Sequence, residues 1–170
     1  SRPYEGSCHI PLFITAGKNV LPHLKAGTAC HSIAELRDIM PTLLDIAGAE
    51  IPSSVDGCSL LPLTEAPDKV QRSWLHGEHS YGEFSNHWIV TERDKFIWHS
   101  QSGTEQYFDL SSDPHELSDL IDDPRYAERI SELRSRLILS LRDRPEKFTD
   151  GSRLIPERPY PPTLPAATLP

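Results

Sequence analysis

The sequence predicts an α+β fold with an α/β edge: a small antiparallel sheet covered by a C-terminal helix, preceded by the margin of a second, buried sheet. Three observations predict it. Residues 74–110 set aromatic and β-branched residues in short runs separated by turn residues, as antiparallel strands do. Residues 123–144 carry apolar residues at helical spacing, an amphipathic helix suited to cover one face of such a sheet. Residues 1–63 offer only one candidate strand and one candidate helix, too little for a doubly wound domain and enough for the edge of one.

Taken in order, residues 1–8 have turn chemistry and no periodicity. The apolar run 11–16, bounded by Pro11 and Gly17, fits a buried parallel strand. A polar loop follows over 17–27. Ile33, Leu36, Met40, Leu43, Leu44 and Ala47 then form one helical stripe. With Asp38 as N-cap, Pro41 falls in the first turn, where no intrahelical amide bond is lost. A helix starting near Ala34 would instead be kinked by it. Gly48 is suited to a left-handed C-cap. Residues 51–63 read as a loop with apolar anchors that turns at Asp56-Gly57. Residues 64–73 are polar and expected to be exposed.

Candidate strands span 75–80, 86–91, 95–99 and 105–110, the middle two joined as a hairpin by Glu92-Arg93-Asp94. Residues 114–120 have room for one helical turn. Asp123 caps a helix with Pro124 at its first position, and Tyr126, Ile130, Leu133, Leu137 and Leu141 mark its buried stripe. Glu132 and Arg136 form a favourable i,i+4 pair, and Pro145 ends the helix. Of the 16 prolines, 7 lie at or beyond Pro145, so the tail is expected to be extended. The expected organisation is therefore an α/β edge over 1–63, an antiparallel sheet with its packing helix over 74–144, and a proline-rich tail over 145–170.

A formal charge of -8 argues against a nucleic-acid partner, since phosphate binding needs a basic surface. No apolar run approaches the roughly 20 residues of a membrane span. Cys8, Cys30 and Cys58 are odd in number and widely spaced, so neither a disulfide framework nor a CxxC metal site is expected. The compartment is left open. No serine sits in a Gly-x-Ser-x-Gly elbow. The aromatics Trp88, Phe96, Trp98, Tyr107 and Phe108 read as half core and half surface rather than as a stacking platform. Cys30-His31 reads as structural. The group His76-Gly-Glu-His79, followed by Tyr81, is polar and lies at a strand end. A zinc site there is not expected, because His76 and His79 point to opposite faces of a strand and no third ligand is near in sequence.

Four collinear segments resemble the C-terminal part of a sulfatase, within the alkaline phosphatase-like superfamily. Residues 4–14 (YEGSCHIPLFI) resemble the family's EGG-x-RVPLI. Residues 38–48 (DIMPTLLDIAG) resemble its VDLxPTLLxLAG helix. Residues 56–62 (DGCSLLP) resemble DGxSLLP, and 95–98 with 107–117 resemble KYI and LYDLxxDPxEL. The resemblance covers about residues 3–143. It implies that the first part is a remnant of the alkaline phosphatase-like sheet, and that the whole protein hydrolyses sulfate esters with a formylglycine nucleophile and calcium. The formylglycine precursor lies in C/S-x-P/A-x-R, and none of the three cysteines has that context. The calcium ligands and a lysine that contacts the sulfate lie N-terminal to the first segment. The chain is therefore expected to hold no catalytic residue and no metal ligand of its own, and to be inactive alone. In the family, C-terminal loops reach the mouth of the active site, which makes Glu78 and His79 the candidate substrate-binding residues, against the alternative of a solvated sheet edge. The implied partners are a small-molecule sulfate ester and an N-terminal catalytic part, or a second copy docked on an exposed core patch. Two alternatives share parts of this pattern: a phosphonate or phosphate ester hydrolase of the same superfamily, and a free-standing protein- or sugar-binding module.

Overall fold

The computed structural model describes residues 2–80 and 82–159. In chain order the elements are α1 (Glu5–Cys8), α2 (Ile39–Ile46), α3 (Leu61–Glu65), β1 (Leu75–His79), β2 (Asn86–Val90), β3 (Asp94–His99), β4 (Glu105–Asp109) and α4 (Ala127–Leu141). The chain forms two units. One is Pro11–Trp74; the other joins the first ten residues to the chain from Leu75 onward.

The second unit is built on a four-stranded antiparallel sheet in the order β1-β2-β3-β4. Strand alternation divides its side chains into two faces. Ile89, Phe96, Trp98 and Tyr107 share one face, which α4 covers with Ile130, Leu133, Leu137 and Leu141, all buried. Arg134 ties helix to sheet by pairing with Glu105 and lying 5.5 Å from the centre of the Phe96 ring. Beyond α4 the chain returns to this face. Phe148 is buried edge-on to Trp98 at 5.9 Å, and a single bridge pairs Thr149 with Leu154. The extended tail expected from the prolines falls in part on residues 160–170, outside the described residues.

The opposite face carries Lys95, Ile97 and Phe108, and the N-terminal residues cover it. Tyr4 meets Phe108 edge-on at 6.1 Å, and its hydroxyl donates to Gln106 Oε1 at 2.9 Å. Lys95 is fully buried beneath this segment. Its ammonium donates to the Pro3 carbonyl at 2.9 Å and pairs with Glu5 at 2.6 Å and Glu116 at 2.9 Å. Glu116 reaches it from a turn in which its own backbone adopts φ 54°, in place of the helical turn expected over 114–120. Because both faces are covered, Phe96, Trp98, Tyr107 and Phe108 are all buried rather than half exposed. Trp88 lies over its cross-strand partner Gly77, where a Cβ would meet the indole at 2.2 Å.

The unit Pro11–Trp74 has no strand among its described residues. Residues 11–16 are irregular, and Phe13 is 82% exposed. A parallel strand satisfies its backbone groups only through neighbouring strands, and this unit supplies none. The helical run begins with a single 3-10 turn at Leu36–Asp38 and becomes α-helical at Ile39, so Asp38 stands at the expected N-cap position of α2, but with helical backbone and no side-chain cap bond to that helix. Gly48 follows at φ 66°, the expected left-handed stop. The stripe faces the other way from the expected one. Leu36, Ile39, Met40 and Leu43 are exposed, while Asp38, Pro41 and Thr42 are buried. The inward side is held by polar ties: Thr42 Oγ1 donates to the Asp38 carbonyl at 2.6 Å and accepts from Leu60 N at 2.9 Å. The expected loop at 60–63 winds into α3 and buries Leu60 and Leu63. Gly57 crosses the helix start so closely that a Cβ there would sit 2.0 Å from the Arg37 carbonyl oxygen.

Candidate functional site

Strand β1 carries the residues singled out for function, and its alternation separates them. His79 points to the face covered by the N-terminal segment. There it lines an open cavity of about 520 Å³ together with Arg2, Tyr4, Asn86, His99 and Ser102. His99 Nε2 lies 3.1 Å from Gln106 Oε1, the oxygen that also receives the Tyr4 hydroxyl. Asn86 donates through Nδ2 to the Phe84 carbonyl at 2.8 Å, and its buried Oδ1 has no hydrogen-bond partner among the described residues. The cavity wall therefore offers one guanidinium, one carboxylate (Glu83) and two imidazoles, while the Asn86 oxygen lies buried behind it. Tyr81 lies outside the described residues.

Glu78 points to the opposite face, so the two candidates do not meet. Its carboxylate sits between Arg144, at 3.2 Å, and His87 Nδ1, at 3.5 Å. His87 faces Glu78 across the β1–β2 ladder and is 1% exposed. His76, two residues from Glu78 and thus on the same face, brings Nε2 to 3.3 Å from His87 Nδ1. Burial, with Arg144 and His76 adding to it, pushes the His87 pKa down to about 3, so its imidazole is neutral. His31 and Cys30 are exposed, and His115 is exposed in a turn.

A second cavity, of about 360 Å³, lies where α4 meets β3 and β4. The Asp94 carboxylate occupies its wall, paired with Arg129 at 2.6 Å and bonded by the Tyr107 hydroxyl at 3.1 Å. Burial favours the neutral acid, but Arg129 and Thr91 outweigh it and hold Asp94 below its ordinary range. The group is a satisfied ion pair that joins helix to sheet. In the unit Pro11–Trp74 the corresponding node is Asp38. It accepts from Arg72 Nη1 and Nη2 at 2.8 and 2.9 Å, and from the Cys58 and Glu35 amides at 2.9 Å each. Burial pushes its pKa up, and Arg72 with the two amides more than offsets this, bringing it to about 2.

The residues present do not fit a formylglycine or a calcium site. Cys8 donates to the Arg2 carbonyl, Cys58 sits against Arg72 and Gln71, and Cys30 is exposed. Calcium takes six to eight oxygen ligands, whereas the donor cluster found among the described residues, His76, Glu78 and His87, is mostly nitrogen. No helix of the described residues is long and apolar enough to cross a membrane.

Sequence reasoning did not find His87, Asn86, His99 or Arg2 as neighbours of the HGEH group. The signal was present in the hairpin. Pairing 75–79 with 86–90 places Glu78 opposite His87 and His79 opposite Asn86. Arg2 carries no such signal, because a tertiary contact of the N-terminal segment brings it there.

The model of the family described as N-sulphoglucosamine sulphohydrolase, C-terminal, matches residues 2–143. An arylsulfatase of Clostridium perfringens is 53% identical over 153 residues, which is 90% of this chain and 32% of that protein. Human arylsulfatase K is 37% identical over 128 residues, covering 69% of this chain and 23% of that protein. Among solved structures, a protein in complex with its substrate D-glucosamine-2-N,6-O-disulfate superposes with a TM-score of 0.66 at 26% identity, over 71% of this chain and 26% of that one. The chain thus spans about a third or less of the proteins it matches. With the motif order, the α+β architecture and these matches in agreement, the chain belongs to the family of sulfatase C-terminal regions.

Proposed function

We propose that this chain serves a sulfate ester hydrolase as the rim of its active site, with His79 and its cavity facing the leaving group of the substrate. The observation that carries this reading is the cavity itself. It is open, it is lined by Arg2, His79, Glu83, Asn86 and His99, and it lies against the N-terminal segment. The family resemblance puts the sulfate-contacting lysine immediately before that segment. Arg2 suits the sulfate and Glu83 with the two imidazoles suits the hydroxyls of a sulfated, hydroxyl-bearing ligand, and one structural relative holds a sulfated glucosamine. Glu78, turned to the opposite face, acts on structure rather than on substrate.

In this reading the nucleophile and calcium belong to an N-terminal catalytic part, and the outward stripe Leu36, Ile39, Met40 and Leu43 is the surface on which that part packs. The chain alone then turns over no aryl sulfate. A phosphonate monoester hydrolase reading rests on a weaker footing, a TM-score of 0.59 at 26% identity to the enzyme of Silicibacter pomeroyi.

The test is the whole protein assayed on 4-nitrophenyl sulfate, on sulfated glucosamine and on a phenyl phosphonate monoester. We expect the sulfates to be preferred, and His79→Ala to lower kcat/KM on them by about tenfold with the fold intact, the loss of one hydrogen bond to a charged ligand. Unchanged kinetics in His79→Ala would remove the rim assignment, and preference for the phosphonate would reassign the substrate class.

A further inference from the structure

We infer that His76, Glu78 and His87 form a binding site for a divalent transition-metal ion of the zinc class, on the sheet face opposite the cavity. One donor atom of each lies within 4.8 Å of the other two. The spacings are 3.3 Å from His76 Nε2 to His87 Nδ1 and 3.5 Å from His87 Nδ1 to Glu78 Oε2. Tetrahedral ligands held at about 2.0–2.1 Å from a zinc ion stand roughly 3.3–3.4 Å apart; the two spacings to His87 are close to that, and His76 and Glu78, within 4.8 Å of each other, close on the ion by side-chain rotation. Two imidazoles and one carboxylate are a donor set for zinc and its neighbours, not for calcium or magnesium.

The local setting supports it. The two imidazoles lie nearly parallel, 19° apart with centroids at 5.5 Å, and share one hydrogen bond. An ion takes the place of the shared proton, which moves to the far nitrogen of the imidazole that donates it, and the rings tilt so that both lone pairs converge. His87 is held against Trp98 and Phe148 at 5.8 and 4.9 Å, with Nδ1 turned to the cluster. Glu78 is 38% exposed, which leaves the fourth position open to water. Arg144 competes for Glu78 but also pairs with Glu146 at 3.1 Å, so it has a second carboxylate when Glu78 turns to the ion. Two carboxylates against one guanidinium leave a net negative charge for an arriving dication. The bound ion would staple the β1–β2 hairpin. This site does not depend on the sulfatase reading.

The test is cobalt titration of the chelator-treated 170-residue chain at neutral pH, followed by visible absorption, with zinc as the displacing ion. We expect one ion per chain, tetrahedral cobalt bands without a thiolate charge-transfer band, and a zinc-dependent rise in unfolding temperature. His76→Asn and Glu78→Gln, each checked for native circular dichroism, should weaken cobalt binding at least tenfold, and Arg144→Gln should tighten it. No saturable uptake at micromolar metal, or affinity unchanged in both His76→Asn and Glu78→Gln, overturns the site.

Discussion

In the sheet unit the large buried side chains are mostly apolar: Ile89, Phe96, Ile97, Trp98, Phe108, Leu133, Leu137, Leu141 and Phe148 pack between a sheet and what covers its two faces. In the unit Pro11–Trp74 the centre is a carboxylate, Asp38, with Pro41, Thr42, Leu60 and Leu63 around it, while four apolar side chains of the helical run face outward. The sheet unit has the apolar burial that stabilises a domain by itself. The unit Pro11–Trp74 is centred on a buried ion pair and leaves apolar side chains of its helical run outward. Both contain a buried charge, and the contrast persists there. Lys95 in the sheet unit locks the N-terminal segment onto a core that already exists, whereas Asp38 with Arg72 stands where the core would be.

The sharpest way to break this comparison is to remove a core side chain from the sheet unit. Trp98→Ala should cost about 3–5 kcal/mol in urea unfolding, because it empties a fully enclosed site that Phe148 and His87 cannot collapse to fill. A loss under about 1 kcal/mol would show that the sheet unit is no more self-sufficient than its companion. Next in size is Arg72→Ala. It leaves the fully buried Asp38 carboxylate without its cation and should cost about 3 kcal/mol. If charge pairing is the cause, the double variant Asp38→Leu with Arg72→Leu should be milder than Arg72→Ala alone. A double variant as damaging as the two single losses summed would point to packing instead.

Acid acts on the same node. The folded pKa of Asp38, about 2, lies below its ordinary value of 3.8. Its stabilisation is therefore complete above about pH 4 and is lost as pH falls from there toward 2, about 2 kcal/mol in all. Asp38→Asn should be less stable at neutral pH and should lack this part of the acid slope. A wild-type chain whose stability is flat between pH 4 and 2 would mean that Asp38 is not the titrating node.

Where structure is local, the sequence was legible. The four strands fall within a residue of their expected bounds, and Asp123-Pro124 opens the helical region as expected, with the Asp123 side chain accepting from Arg125 N. Period-two and period-3.6 patterns are written by neighbours in the chain, so a single segment reveals them. What failed depended on partners far away. The run 11–16 has the composition of a buried strand, but a strand is made by its neighbours. The 31–47 stripe was read correctly as apolar, and as helical over 36–46 but not over 31–35, yet apolarity does not say toward which body it turns. Asp38 holds the N-cap position read for it, but its bidentate bond to Arg72, 34 residues away, left no periodic trace. The HGEH group shows the same limit at the site: alternation said that His76 and His79 diverge, but only the ladder register supplies His87 as the third member of the cluster.

The smallest expected effect tests the outward stripe. Leu43 is 60% exposed and Leu36 is 66% exposed, so Leu43→Glu in this chain removes little buried area and should change stability by no more than about 0.5 kcal/mol. The same substitution should raise solubility, because it places a charge in an apolar patch that otherwise drives association. In the whole protein the outcome should reverse. If an N-terminal catalytic part packs on the stripe, a buried unpaired carboxylate there costs several kcal/mol and should abolish soluble expression or activity. A substitution silent in both contexts would mean that the stripe is merely exposed. One that unfolds the chain by itself would mean that Leu43 belongs to a core of the unit Pro11–Trp74, and the contrast between the two regions would be lost.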